Sequence, residues 1–188
     1  MTMDKQEQIL TTALRLFVEN GFHATPTSKI AKEAGVANGT LFHYYKTKED
    51  LIVSLYLYVK SKMGAYVEEH SKAETNPKEK FRSQFRAVLD WSLKNTNEFY
   101  YAQLFSTSPF ASLLSPEEVK KTLKKSCDQI QEAIDAGAIK ERDTDFIHTI
   151  MGSHIFGLYS YLNKYKLTKA KQQQVIDDSF EMLWGMLV

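Results

Sequence analysis

Apolar residues recur every three or four positions along almost the whole chain, with no alternating run long enough for a strand. Ile9, Ala13, Leu16 and Phe17 form the first stripe, and Asn20-Gly21 supplies a left-handed stop. A short helix is expected from about Ser28 to Ala34, then a turn at Gly35-Val36-Ala37, then a second short helix from Asn38 to Tyr45. Thr47 and Asp50 have capping-box spacing and open a long helix carrying Leu51, Leu55, Val59, Met63 and Tyr66. Asn76-Pro77-Lys78-Glu79 and Ser115-Pro116-Glu117-Glu118 each place a cap, a proline at the first helical position and an acid in the first turn. The first opens a helix with Phe81, Phe85, Val88 and Leu89 on one side; the second runs through Ile130 and Ile134 to a stop at Ala136-Gly137. A shorter helix is expected over Asn97–Ser106, followed by a loop around Ser108-Pro109. Two last helices, about Asp143–Tyr165 and Thr168–Leu187, flank a very short turn. The pattern predicts an all-α fold of nine helices. Short helices give way to long ones near Lys46, which divides the chain into 1–46 and 47–188.

Composition narrows the class. The chain has 188 residues, 43% hydrophobic and 25% charged, enough for a sizeable core. The first residues lack the apolar run of a secretory leader, and no stretch is long enough to span a bilayer, so no membrane partner is expected. Cys127 is the sole cysteine, which excludes an intrachain disulfide and suits a cytoplasmic location. A net charge of +1 advertises no polyanion, but Thr27–Lys48 holds four lysines against one acid. Nucleic-acid binding needs a basic face, not a basic protein.

That same segment carries the candidate chemistry. A short helix, a glycine-containing turn and another short helix make a helix-turn-helix. Ile30, Ala31 and Ala34 face inward, with Val36 and Leu41 as further anchors. Little more than two turns then present Asn38, Gly39, Thr40, Phe42, His43, Tyr44 and Tyr45, aromatic and hydrogen-bonding groups suited to base edges and phosphates. Gly39 admits close approach, and the helix start offers amides to phosphate. Phe42 and Tyr45 also fit a core position, Tyr45 the better of the two because it lies on the Leu41 side.

Ile9–Leu51, and above all Ser28–Leu51 with its Ile30-Ala31, Ala34-Gly35-Val36, Gly39-Thr40-Leu41 and Tyr44-Tyr45 elements, resembles the DNA-binding domain of TetR/AcrR-type repressors. The resemblance implies an all-helical homodimer that binds a double-stranded, palindromic operator. It further implies an inducer-binding C-terminal domain with dimerising last helices. By position it implies phosphate contacts from Thr27, Thr40, His43, Tyr44 and Lys48, and base-edge or thymine-methyl contacts from Ser28, Asn38, Gly39 and Phe42. Two residues depart from the family pattern. Ala37 replaces a frequent serine, leaving Asn38 as the expected cap, and Phe42 lacks the hydroxyl of the usual tyrosine.

The rest of the chain is rich in aromatic and soft residues. Tyr66, Trp91, Phe99, Phe105, Phe110, Met151, His154 and Tyr159 are the candidates to line a cavity for a small apolar or aromatic effector. Helical spacing accounts equally well for packed core. Gly152 and Gly157 each cost about 1 kcal/mol of helix stability, which close approach of a ligand or helix would offset. The broad apolar faces of the last two helices fit a two-fold four-helix bundle, or else cap their own domain.

No enzyme, cofactor or metal is expected. Phosphate-binding glycine loops and HExxH or CxxC spacings are absent, and His148 and His154 point to different helix faces. A Cys127–His154 nucleophile pair is one alternative and a helical adaptor that binds no DNA another; the adaptor leaves Thr27–Lys48 unexplained. The long helix from Thr47 is the expected lever between ligand and operator.

Overall fold

A computed structural model describes residues 4–71 and 74–188. The expectation about a leader falls partly on Met1–Met3, outside the described residues. Nine α-helices appear among the described residues: α1 (Lys5–Asn20), α2 (Thr27–Glu33), α3 (Asn38–Tyr44), α4 (Lys48–His70), α5 (Pro77–Lys94), α6 (Thr96–Ser106), α7 (Pro116–Asp135), α8 (Thr144–Lys164) and α9 (Lys169–Leu187). A 3₁₀ turn, Pro109–Leu113, stands where the sequence suggested a plain loop; the Ser108 hydroxyl caps it by accepting from the Phe110 amide. No helix among the described residues is long and apolar enough to cross a membrane.

Local sequence dictates the helix ends. Gly21 ends α1 at φ 75°, its amide bonded to the Phe17 carbonyl at 2.9 Å. The Thr47 amide donates to Asp50 Oδ2 at 3.1 Å and the Asp50 amide to Thr47 Oγ1 at 3.0 Å, the reciprocal pair expected at the head of α4. Asn76 Oδ1 accepts from the Glu79 amide at the head of α5.

The chain forms two compact units. The first holds the residues up to Lys62 together with Asn95–Pro116, so α6 and the 3₁₀ turn pack with the N-terminal helices. Here α1 packs on α2, α3 and α6. Phe22 sits among Phe17, Tyr101 and Phe110, with ring centroids 5.3, 5.8 and 5.1 Å away. The Tyr101 hydroxyl is fully buried and donates to the Ile52 carbonyl at 2.8 Å, tying α6 to α4. Burial pushes that phenol well above its ordinary pKa and leaves it a pure donor.

The second unit holds Met63–Lys94 and Glu117–Val188. Its α5, α8 and α9 pack mutually around Phe81, Phe85, Leu89, Ile147, Phe180 and Trp184, all buried. An ionic ladder edges the α5–α9 seam: Lys78 with Glu181 at 2.7 Å, Arg82 with Glu181, and Arg86 with Asp177 at 2.7 Å. Helix α7 buries only its C-terminal half, at Gln129, Ile130 and Ala133. Polar pairs from its middle and C-terminal half add to that: Lys125 to Glu68, Ser126 Oγ to His148 Nδ1, and Lys80 to Glu132.

Candidate nucleic-acid interface

The face of α3 follows from what its other side buries. Leu41 is fully buried and Tyr45 nearly so, together with Ile30 and Ala31 of α2. Positions 100° and more round the helix then point outward. Asn38, Gly39, Phe42, His43 and Tyr44 are exposed, and Thr40 is half-buried. Gly35 turns the chain between the helices at φ 67°, a conformation a side chain would strain. The Val36 amide closes the turn on the Ala31 carbonyl at 3.0 Å.

The structure separates the two readings of the aromatics. Tyr45 is core, and burial raises its phenol pKa. Phe42 is surface, at 38% exposed, as is Tyr44 at 37%. His43 and Tyr44 rings meet edge to face, 5.6 Å apart. The expected cap is corrected: Ala37 holds the N-cap position of α3 with extended backbone and no side-chain bond. Asn38 is already the first helical residue, and its side chain is exposed. A cap needs extended φ and ψ, which only Ala37 has.

Around this face, Ser28 is exposed and Thr27 half-buried at the start of α2. Lys29, Lys32 and Lys46 are exposed and supply the local positive charge. Lys48 is half-buried on the first turn of α4, where desolvation pulls its ammonium pKa down against the opposing pull of Glu49. Two supports lie beyond sequence reasoning, because their partners are distant along the chain. The Thr25 hydroxyl, fully buried, donates to the Leu16 and Gly21 carbonyls at 3.2 and 2.8 Å and pins the α1–α2 loop. Arg15 bridges to Glu33, which ties α1 to α2 and holds that carboxyl below its ordinary pKa.

The eight effector candidates are divided between the two units. Phe99, Phe105 and Phe110 belong to the first unit; Tyr66, Trp91, Met151, His154 and Tyr159 belong to the second. Trp91, Phe99, Phe105 and Tyr159 are buried, and Phe105 stacks on Tyr56 with centroids 4.1 Å apart. Tyr66 stacks on His70 and gives its hydroxyl proton to Asp90, beside Lys94. His154 Nε2 lies 3.0 Å from the Ser179 carbonyl and 2.8 Å from its hydroxyl, stapling α8 to α9. Cys127 donates to Asp145 at 3.3 Å, and burial pushes its thiol pKa up. A raised pKa disfavours the thiolate, and Cys127 and His154 have separate partners.

Residues 9–55 match the family model of bacterial regulatory proteins of the tetR family. An uncharacterized HTH-type transcriptional regulator of Haemophilus influenzae is 30% identical over 154 residues, covering 77% of this chain and 75% of that protein. This chain belongs to the TetR family. The fatty acid metabolism regulator protein of Bacillus subtilis is 46% identical over 79 residues, 40% of this chain and 39% of that protein. The chain thus spans well under two thirds of the length of that relative. A solved TetR-family regulator from Shewanella sp. PV-4 superposes with a TM-score of 0.92 at 28% identity, covering 98% of both chains. The transcriptional regulator FadR of Bacillus subtilis, solved in complex with stearoyl-CoA, gives a TM-score of 0.73 at 28% identity, over 94% of this chain and 96% of that one. The matched residues 9–55 include the whole of α2 and α3.

Proposed function

We propose that this TetR-family protein is a cytoplasmic transcriptional repressor that binds a palindromic operator as a homodimer and leaves it when a small apolar effector binds. One observation carries the reading: α3 turns Asn38, Gly39, Phe42, His43 and Tyr44 outward while burying Leu41. In this proposal Thr27, Thr40, His43, Tyr44 and Lys48 hold phosphates, and Ser28, Asn38, Gly39 and Phe42 meet base edges or thymine methyls. Residues 1–46 read the operator and residues 47–188 serve effector and dimer.

Dimerisation through α8 and α9 draws on their surfaces. Phe146, Tyr161 and Tyr165 on the α8 side and Met182 and Met186 on α9 are exposed. Gly152, Gly157 and Gly185 are exposed as well, with nothing within 4 Å of where a Cβ would stand. Their helix cost is therefore not offset inside the chain. A second copy packed on this face would offset it.

The chain crosses between its units after Lys62 in α4, between Lys94 and Asn95, and after Pro116. An effector that shifts α4 or α6 then changes the spacing of two recognition helices, which must match half-sites about 34–36 Å apart. A gel shift with the upstream region of the protein's own operon tests the reading. Lys48→Ala should weaken binding alike on all sequences and lower the salt slope by about 1, whereas Asn38→Ala should change sequence preference by roughly 1–3 kcal/mol. Stearoyl-CoA, the ligand of the solved FadR complex, is the first effector to try; release of the operator is expected. A salt-independent shift, or none, refutes the operator assignment.

A further inference from the structure

Building on the proposed effector binding, we infer that Lys60 on α4 anchors an acidic head, so that the effector is a monocarboxylate with an apolar body. The half-buried lysines among the described residues are Lys48, Lys60, Lys78 and Lys80. Lys78 bonds to Glu181 at 2.7 Å, Lys80 to Glu132 at 2.9 Å, and Lys48 feels the charge of Glu49. Lys60 alone of them has no carboxylate, and it has no hydrogen bond to any described residue.

The isolation is built into α4. Its acids stand toward the ends, Glu49 and Asp50 in the first turn and Glu68 and Glu69 close to the last. The positions three and four residues from Lys60 are Tyr56, Leu57, Met63 and Gly64, none of which can answer a cation with charge. Burial pulls the Lys60 ammonium below its ordinary pKa, and no nearby charge opposes that pull. A lysine whose head reached bulk water would show no such shift. A cation kept from water calls for a partner, and this chain supplies none.

The head is recessed yet reachable. A helical side chain covers the turn before its own Cα, so a residue larger than glycine at position 64 would lie over the turn that carries Lys60. Gly64 is exposed, and a Cβ there would meet nothing within 4 Å, so packing inside the chain does not require glycine. Gln129 Nε2 is also buried without a partner, but it is sealed from solvent; Lys60 Nζ is not.

The lysine and its surroundings define the ligand. An ammonium offers donors and no acceptor, and its single charge balances a single negative one, as a carboxylate carries. The apolar body follows from the neighbouring turns. Tyr56, one turn earlier on the same side of α4, is half-buried and stacks on Phe105 of α6 with centroids 4.1 Å apart. Ile52, a further turn back, is fully buried. Ile52, Tyr56, Lys60 and Phe105 all belong to the first unit.

Calorimetry on the full-length protein without DNA gives the test, with octanoate, octanol and octylamine as probes. Octanoate should bind saturably and roughly tenfold more tightly than octanol, with octylamine weakest. In Lys60→Met the advantage of octanoate over octanol should vanish, and in Lys60→Arg it should persist. Lys60→Met should melt no lower than the parent, since it removes an unpaired cation from a desolvated place. Octanol that binds the parent as tightly as octanoate overturns the assignment. So does an absence of saturable octanoate binding, or an advantage that survives in Lys60→Met. The gel shift separates this from the effector reading. Operator release by octanol as readily as by octanoate removes the anchor and leaves an apolar effector. An operator that octanoate never releases, despite its preferred binding, removes the effector reading and leaves the anchor.

Discussion

The two units expose large apolar side chains in opposite company. In the first, Phe42 and Tyr44 stand on α3 beside His43, Asn38 and the exposed lysines 29, 32 and 46. In the second, Phe146, Tyr161, Met182 and Met186 stand on α8 and α9 beside exposed glycines at 152, 157 and 185. Aromatics among cations and amides suit a charged, hydrogen-bonding lattice, for which both rings supply apolar contact and the Tyr44 hydroxyl a polar edge. Aromatics and methionines among glycines suit another helix of the same kind, because small residues let backbones approach and methionine fills irregular gaps. An exposed apolar residue alone says little; its neighbours say which partner it fits.

The surest way to break the comparison is to remove what aims the first surface. Leu41→Ala empties a fully buried position beneath α3 and should cost about 2–5 kcal/mol. Circular dichroism should report a lower melting temperature, and operator binding should fall with it. The second surface breaks differently. Met182→Lys, at a position 69% exposed, should leave helicity and folding intact while placing a charge against an apolar partner. At roughly 2 kcal/mol, dimer dissociation should rise about thirtyfold, read by light scattering across a dilution series. Gly157→Ala sharpens the point. In the Met182→Lys background it should raise helix stability by about 1 kcal/mol, since a Cβ there meets nothing. In the parent it should weaken association, because in the proposed dimer a second copy packs on the face that carries Gly157.

How much of this was legible in the sequence depends on how far apart the partners lie. The Thr47–Asp50 box and the glycine stops at 21, 35 and 137 are local chemistry, and all fall at the expected places. Tyr45 as core follows from its place beside Leu41 on one short helix. The α3 cap does not, because Ala37 and Asn38 are neighbours and backbone angles decide which one is the cap. Nothing local marks α6 as part of the first unit. Its membership rests on Tyr101 against Phe17, Phe22 and Ile52, contacts 49 to 84 residues apart. The Arg15–Glu33 bridge and the unmet Gln129 amide are invisible for the same reason.

Tyr101→Phe tests that membership more gently. It removes the donor to the Ile52 carbonyl while keeping the ring, so about 1 kcal/mol should go from the first unit's stability. Because burial raises the phenol pKa, the parent–variant gap should be constant below the ordinary value of 10.0 and shrink as pH rises above it, where the unfolded chain ionises its tyrosine and the folded one does not.

The α5–α9 ladder of the second unit should yield the smallest effect, with a pH signature of its own. Lys78 above all, with Arg82, holds the Glu181 carboxyl below its ordinary value of 4.5. A depressed folded pKa means the stabilisation is complete above 4.5 and is lost as pH falls through the folded value. Glu181→Gln should therefore melt lower than the parent at neutral pH, and the gap should close on acidification below 4.5. Glu181 is solvent-exposed and Lys78 only half-buried, so salt should shrink the gap as well. A gap unchanged between neutral and acid pH would assign Glu181 a packing role and leave the ladder without electrostatic weight.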